Sequence, residues 1–336
     1  MIGLIKKILI LLITIGLGLF ISIIVILWTY SNKLPDYKFL KNYKPSVSSK
    51  LYSGGGELVS DFSSEKRIFV PFNAIPTKVI HAFLSAEDKN FFSHPGVDAK
   101  GIIRAVLRNI SNIIYEKRLE GASTITQQVA KNFLLSNEVS LNRKIKEAIL
   151  AFRIERALSK ERILELYLNQ IYLGQGAYGI ASASLEYFDK PISKLDYAEA
   201  SLLAALPKAP SKYNPFKNID LAKYRRDLVI RNLYDNSYVS YKKYKKLLNT
   251  KIILKKRKKI YLEDARYYVE DVRKFIVEKY GFDKVYKQGF NIKTPINLEI
   301  QTIATQSLRD GLIQYDKRKG WRGPLLNKKD TNNWNN

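Results

Sequence analysis

The chain has 336 residues, with 57 Lys and Arg against 31 Asp and Glu, a formal net charge of +26. Such an excess favours an anionic partner: a nucleic acid, an acidic membrane surface or a phosphorylated substrate. A compositional bias of the source genome toward Lys, Ile, Asn and Tyr accounts for part of the excess equally well. Having no cysteine, the chain forms no disulfide, cysteine zinc finger or iron–sulfur cluster.

Lys6 and Lys7 precede Ile8 to Trp28, 21 residues without a charge. At about 1.5 Å per residue a helix of that length spans roughly 30 Å, the thickness of a bilayer core. The two lysines place the N-terminus in the cytoplasm and the rest of the chain outside. A cleaved leader would have a shorter apolar region and a small-x-small site; here Trp28-Thr29-Tyr30 follows. The expectation is therefore a cytoplasmic tail over 1–7 and a retained transmembrane anchor over 8–30. Residues 31–65, with Pro35, Pro45 and Gly54-Gly55-Gly56, are expected to be a linker with short extended pieces.

From Pro76 helices dominate. Ile75, Val79, Ile80, Phe83 and Leu84 recur at helical spacing, and Pro76 suits a first turn. A helix over 100–116 carries Ile102, Ile103, Val106, Leu107, Ile110, Ile113 and Ile114 on one stripe, flanked by Arg104 and Arg108. Core packing is the default for such a stripe, with a helix lying on a membrane as the alternative. Further helices are expected at 124–135, 141–158, 161–173, 177–188, 196–206 and 219–234. The Lys-rich 240–259 is expected to be a solvated linker, or a segment attracted to anionic lipid. A helix over 264–280, a short hairpin from Val285 to Pro295 and a helix over 298–316 complete the pattern. Thr331 to Asn336 are expected to be unstructured.

Three blocks carry chemistry. In the first, Glu87-Asp88-Lys89-Asn90-Phe91-Phe92-Ser93-His94-Pro95-Gly96, Glu87 falls on the apolar stripe of its own helix. A carboxylate against apolar surface has a raised pKa and suits a general base; a buried Glu paired to Arg104 or Lys131 is the plainer alternative. Asp88 and His94 are placed to brace the turn that follows. His94 is a poor metal candidate, because His81 is the only other histidine. The second block, Gly121-Ala122-Ser123-Thr124-Ile125-Thr126-Gln127-Gln128, opens a helix with a Thr124/Gln127 capping box. A polar helix start holds a phosphate, although an ordinary capped helix has the same sequence. In the third, Arg143-Lys144-Ile145-Lys146-Glu147, Arg143 and Glu147 share a face of a largely apolar helix, as an ion pair or as functional charges. Gly174-Gln175-Gly176-Ala177-Tyr178-Gly179 matches the dinucleotide fingerprint but follows a helical pattern, so it is expected to be a turn between helices.

Together these blocks resemble the glycosyltransferase domain of class A penicillin-binding proteins. The E-D-x-x-F-x-x-H-x-G, G-x-S-T-I-T-Q-Q and R-K-x-x-E patterns stand intact and in family order. Lys160-Glu161-Arg162-Ile163-Leu164-Glu165-Leu166-Tyr167-Leu168-Asn169 and Ala209-Pro210-Ser211-Lys212-Tyr213-Asn214-Pro215 agree as well. The resemblance covers about Arg67 to Asn218, and more loosely to Pro324. It implies a mainly α, lysozyme-like helical glycosyltransferase domain over 66–220, half sunk in the outer leaflet, with a partial α+β inter-domain region within 221–336. It further implies polymerisation of lipid II by an inverting reaction outside the cytoplasmic membrane, on the periplasmic side.

By the same resemblance Glu87 is the base and Glu147 assists the leaving group, directly or through a divalent cation such as Mg²⁺ or Mn²⁺. Lys131, Arg143 and Lys144 would hold the diphosphate. Ser123, Thr124, Gln127 and Gln128 would line the cleft, and Asp88, Phe91, His94, Gly96 and Gly121 would shape it. Lipid II, the nascent glycan strand, membrane lipids and other cell-wall proteins are the implied partners; nucleic acid is not. Two departures stand out. Val139 occupies a place where the family often has a further cation. Ser63-x-x-Lys66 and Ser240-x-x-Lys243 lack partner motifs, and Lys293-Thr294-Pro295 is not K-T-G. The expectation is a member cut short before its transpeptidase domain. A lysozyme-like glycan-cleaving enzyme and a non-catalytic membrane scaffold are the alternatives; the diphosphate-binding set disfavours the first and the intact motifs the second.

Overall fold

The computed structural model describes residues 34–43, 49–62, 66–114, 123–136, 140–255 and 263–320. It also describes positions 7, 10, 14, 16–18, 21–22, 25, 28–30, 121, 138 and 323. Most of the expected anchor over 8–30, and Val139, lie outside the described residues. The described positions from 7 to 30 are helical, and Ile10, Leu17, Ile21, Val25 and Trp28 are exposed. Among the described residues no helix is long and apolar enough to cross a membrane.

Two compact units make up the chain, one of residues 1–45 and 65–257, the other of 46–64 and 258–336. The smaller unit opens with β1 (Ser49–Tyr52) and β2 (Leu58–Phe62), an antiparallel pair. Part of the expected linker is thus a sheet. Alternation puts Leu51 and Phe62 on one buried side, a register shift after Leu51 leaves Val59 buried as well, and Gly56 turns the chain at φ +87°.

The larger unit runs through β3 (Lys66–Arg67), α1 (Thr77–Glu87), α2 (Ala99–Ile114), α3 (Ile125–Leu134), α4 (Leu141–Ala157) and α5 (Lys160–Gln170). It continues with β4 (Ala177–Tyr178), α6 (Ile180–Phe188), α7 (Tyr197–Ala205), α8 (Ile219–Asp235) and α9 (Tyr241–Leu248). Side-chain caps start most of these helices: Thr124, Ser140, Ser159, Asp196, Asn218 and Ser240 each accept from a backbone N–H three residues on. The core takes Val79 and Phe83 from α1, Ile125 and Val129 from α3, Leu150 and Ile154 from α4, and Leu202 and Leu203 from α7. At its centre lies α5, with Ile163, Leu164, Tyr167 and Leu168 buried on several faces.

The polar residues of α5 are clamps. Lys160 Nζ donates to His94 O at 2.7 Å and to Glu155 at 2.8 Å. Arg162 donates to Leu40 O and Tyr43 O at 3.1 and 2.7 Å. Glu165 accepts from Phe72 N–H at 2.7 Å. Asn169 exchanges two 2.8 Å bonds with the backbone of Val70. A helix buried this deeply satisfies the irregular chain around it with its own polar side chains.

Four expectations are corrected. The stripe on α2 is not core: Ile103, Val106, Leu107 and Ile110 are 53–64% exposed, while Gly101 and Ala105 on the opposite side are buried. The Lys-rich stretch contains α9, because Leu247 and Val239 bury against Ile230 and Leu233 of α8. The glycine turn at 174–179 follows α5 as expected, with positive φ at Gly174, Gln175, Gly176 and Gly179. However, β3 and β4 beside it form a two-residue parallel pair that periodicity did not show.

The fourth correction lies in the smaller unit, to which the chain returns with α10 (Arg266–Tyr280), α11 (Phe282–Lys287), β5 (Asn291–Lys293) and α12 (Leu298–Arg318). The expected hairpin over 285–295 is α11 followed by β5, which pairs in parallel with β1. Val285 is fully buried against Leu51 and Ile296, and Ser49 Oγ accepts from Phe290 N–H at 2.9 Å. Long-range pairing therefore replaces the local turn.

Candidate active site

Three helix ends converge on a cleft lined by Glu87, Asp88, Asp98, Arg104, Gly121, Ser123 and Thr124. Glu87 is the last residue of α1. Ser123 and Thr124 lead into α3. Asp98 precedes α2, where its Oδ1 accepts from Gly101 N–H at 2.9 Å and its Oδ2 from Asn90 at 2.9 Å. Burial works against the Asp98 charge, but these two bonds and the nearby cations prevail and lower its pKa.

Glu87 is half-buried. Its loss of solvation raises the pKa, opposed by the Gln128 hydrogen bond and by Arg225 and Lys208, and reinforced by Asp88. Gln128 Nε2 donates to Glu87 Oε2 at 2.8 Å, which fixes one oxygen and leaves the other for a substrate proton. Beneath it Tyr167 buries its hydroxyl, with no hydrogen-bond partner among the described residues. Desolvation, then the charges of Glu87 and Asp88, push that phenol well above its usual pKa. A carboxyl with a raised pKa and one oxygen left facing a cleft has the chemistry to take up a proton.

The neighbouring turn holds Glu87 in place. Asp88 accepts from His94 Nε2 at 3.0 Å and from Ile125 N–H at 3.0 Å. His94 Nδ1 accepts from Gly96 N–H at 3.1 Å, so the imidazole proton sits on Nε2, facing Asp88. Gly96 is required twice over: its φ is +98°, and a Cβ there would lie 2.7 Å from Ala151 O. Phe91 is fully buried, with Lys160 Nζ 4.5 Å from its ring centroid. Gly121, in contrast, has open space around it.

Across α3 lies the second carboxylate. Glu147 is 1% exposed, with Oε2 2.6 Å from Lys144 Nζ and Oε1 paired to Arg143. Lys144 Nζ also donates to Ser123 Oγ at 2.9 Å. Burial lowers the Lys144 pKa, and Arg143 and Lys131 lower it further. Two cations hold one buried anion and Lys131 acts on Lys144 from nearby, leaving positive charge beside Ser123.

Most of the expected residues are thus brought together, and α3 is the bridge. Ser123 faces both the cleft and Lys144, Gln128 reaches Glu87, and Lys131 follows one turn later. Two residues take structural positions. Thr124 and Gln127 form the capping box, through Gln127 N–H to Thr124 Oγ1 at 3.2 Å and Thr124 N–H to Gln127 Oε1 at 2.9 Å. Thr124 Oγ1 also donates to Gly96 O at 2.6 Å. Sequence reading missed Lys208 and Arg225, whose charges reach Glu87. Lys208 adjoins the Ala209–Pro215 block, which was the available signal; Arg225, on α8, had none.

A profile of the family described as "Transglycosylase" matches residues 55–234. Penicillin-binding protein 1A of Rickettsia felis is 47% identical over 322 residues, 96% of this chain and 40% of that protein. Its counterpart from Aquifex aeolicus is 42% identical over 312 residues, 93% of this chain and 42% of the relative. The crystal structure of Penicillin-Binding Protein 1A from Haemophilus influenzae aligns with a TM-score of 0.53 at 26% identity, covering 86% of this chain and 33% of that one. The chain therefore spans about 40% of the length of the curated relatives it matches. The family profile covers more than half of its residues, and the three sequence blocks from Glu87 to Glu147 lie inside the match: the chain belongs to the transglycosylase family.

Proposed function

We propose that this chain is a membrane-attached peptidoglycan glycosyltransferase that polymerises lipid II into β-1,4 glycan with release of undecaprenyl diphosphate. The observation that carries this reading is the pairing across α3 of a raised-pKa carboxylate, Glu87, with a cation cluster, Arg143, Lys144 and Lys131. A glycan hydrolase needs the first and has no use for the second.

In the reaction the free oxygen of Glu87 takes the proton of the acceptor's 4-hydroxyl. The hydroxyl oxygen attacks the donor's anomeric carbon from the face opposite the diphosphate. The bond from that carbon to the phosphate oxygen breaks, its electron pair leaves with the diphosphate, and the configuration inverts. Arg143, Lys144 and Lys131 neutralise the departing charge. Glu147, with both oxygens held, orients Arg143 and Lys144. Gln128 and the Asp88–His94 pair keep Glu87 in register.

A divalent cation is one of the two routes, the other direct, by which Glu147 is expected to assist the leaving group. The donor set does not fit a resident ion: both Glu147 oxygens already face cations, and among the described residues no three His, Cys, Asp or Glu side chains converge. A metal at Glu147 would have to displace Lys144 or Arg143, so the steps above run through side chains.

Membrane attachment through residues 8–30, a lysozyme-like helix arrangement and a site outside the cytoplasmic membrane belong to the same proposal. Two features support it. The apolar stripe of α2 is uncovered while its other side lines the cleft, as lateral access from a bilayer demands. Tyr30 donates to Asn142 at 2.5 Å, bringing the end of the apolar segment to the first turn of α4. The test is to incubate the detergent-solubilised chain with labelled lipid II and resolve the products on a gel. A ladder of glycan chains supports the proposal; unreacted lipid II with a demonstrably folded protein contradicts it.

A further inference from the structure

A helix ends on carbonyls that have no intrahelical partner, and the end of α1 carries Glu87. Leu84 O is closed locally, accepting from Asp88 N–H at 2.9 Å. Ser85 O is closed from far along the chain: Asn232 Nδ2, on α8, donates to it at 2.9 Å. One turn later on α8, Asn236 Nδ2 donates to Ser85 Oγ at 3.2 Å. Ser85 is buried, so α8 supplies both of these donors in place of water.

The spacing on α8 serves the same end. Arg225, Asn232 and Asn236 are seven and four residues apart, which at roughly 100° per residue sets them within about 20° of one line along the helix. Asn232 and Asn236 turn that line toward the last turn of α1. Arg225 has its Nε buried without a hydrogen-bond partner among the described residues, and its charge acts on Glu87.

Glu87 therefore stands between two anchors. One residue after it, Asp88 accepts from Ile125 N–H of α3 at 3.0 Å. Two residues before it, Ser85 is held by α8. The Gln128 bond grips only the side chain of Glu87, and it aims the other carboxyl oxygen only while the backbone beneath is fixed. One such bond adds little to stability, whereas a displacement of about 1 Å at a reacting group costs up to about 100-fold in rate. We infer that Asn232 is a positioning residue for Glu87: it fixes the end of α1 from α8 through the Ser85 carbonyl, and Asn236 makes the second bond.

The inference rests on the glycosyltransferase reading. Asn232 is exposed on its outer side, so Asn232→Leu, similar in shape and without a donor, leaves the core intact. Asn232→Gln keeps the donor. Lipid II polymerisation is measured for the full chain in detergent, at a temperature where circular dichroism shows every variant folded. Asn232→Leu should lower kcat about tenfold and leave KM nearly unchanged, and Asn232→Gln should recover most of the loss. Amide exchange at Glu87 and Asp88 should quicken in Asn232→Leu and not in Asn232→Gln. A wild-type kcat in Asn232→Leu, a rise in KM alone, or a loss that Asn232→Gln does not relieve overturns the inference, and a fall in Tm without these changes makes the bond merely structural. If the wild-type chain forms no glycan, the glycosyltransferase reading fails instead. Amide exchange then still decides, because unchanged exchange at Glu87 and Asp88 shows that Asn232 does not hold the end of α1.

Discussion

At the scale of single residues, Glu87 trades stability for reactivity. Burial raises its pKa, so the folded chain holds that proton more tightly than the unfolded one. The stabilisation is complete below the unfolded pKa and is lost as pH rises through the folded value. At neutral pH the ionised carboxylate is therefore a liability. Glu87→Gln is expected to raise Tm at about pH 7, with the gain shrinking toward about pH 4, where the wild-type carboxyl is also neutral; calorimetry at the two pH values checks this. Gln128→Met removes a hydrogen bond that lowers the Glu87 pKa. The acid limb of the pH–rate profile should then move to higher pH, and a move to lower pH would contradict the assignment. Gly96→Ala combines positive φ with a contact 2.7 Å from Ala151 O. It should cost about 2 kcal/mol or more, read as a fall in Tm.

At the scale of elements, α4 and α2 divide the work. On α4, Arg143 and Lys144 flank a buried Glu147. Removing one cation leaves the anion poorly compensated, which for a buried pair costs about 3–5 kcal/mol when the partner lost is the principal one. Lys144 is half-exposed, so Lys144→Met should keep the fold yet lower kcat with little change in KM, because leaving-group charge develops only as the bond breaks. A pure KM effect would make Lys144 a docking residue instead. On α2, Ile103 and Leu107 are more than 60% exposed. Replacing both by Asp should change Tm little and depress activity in bilayers more than in detergent; equal losses in both would show that the stripe does not meet lipid. The apolar period of α2 was plain in the sequence, but periodicity is identical for a stripe facing protein and one facing hydrocarbon. Only the absence of a covering element among the described residues separates the two.

At the scale of the whole molecule, what was legible in the sequence is what is local. Glu87, Asp88 and His94 fall within one turn and its helix, the capping box spans four positions, and Arg143 to Glu147 is a single helical step; each block is its own geometry. The helices from 77 to 235 were legible for the same reason, with their caps written beside them. What remained hidden depends on contacts between distant segments. Arg225 acts on Glu87 from far along the chain. The pairing of β5 with β1 joins residues 291–293 to 50–52, so a stretch that looks like a hairpin becomes a helix and a strand. Because the smaller unit has its own core of Leu51, Val59, Phe62 and Val285, Leu51→Ala should destabilise that unit by about 2–5 kcal/mol. The initial rate of lipid II consumption should stay unchanged. Hydrogen exchange resolved along the chain reads the first, and a rate assay the second.

The central claim is that Glu87 is the base of a glycosyl transfer from a diphosphate. Its most direct test compares wild type with Glu87→Gln in the full chain, measuring lipid II consumption and, separately, lipid II binding. The account predicts that the variant folds, binds lipid II with near wild-type affinity and forms no glycan chains. Chains formed by the variant at the wild-type rate would contradict it and move the search for the base to another group in the cleft.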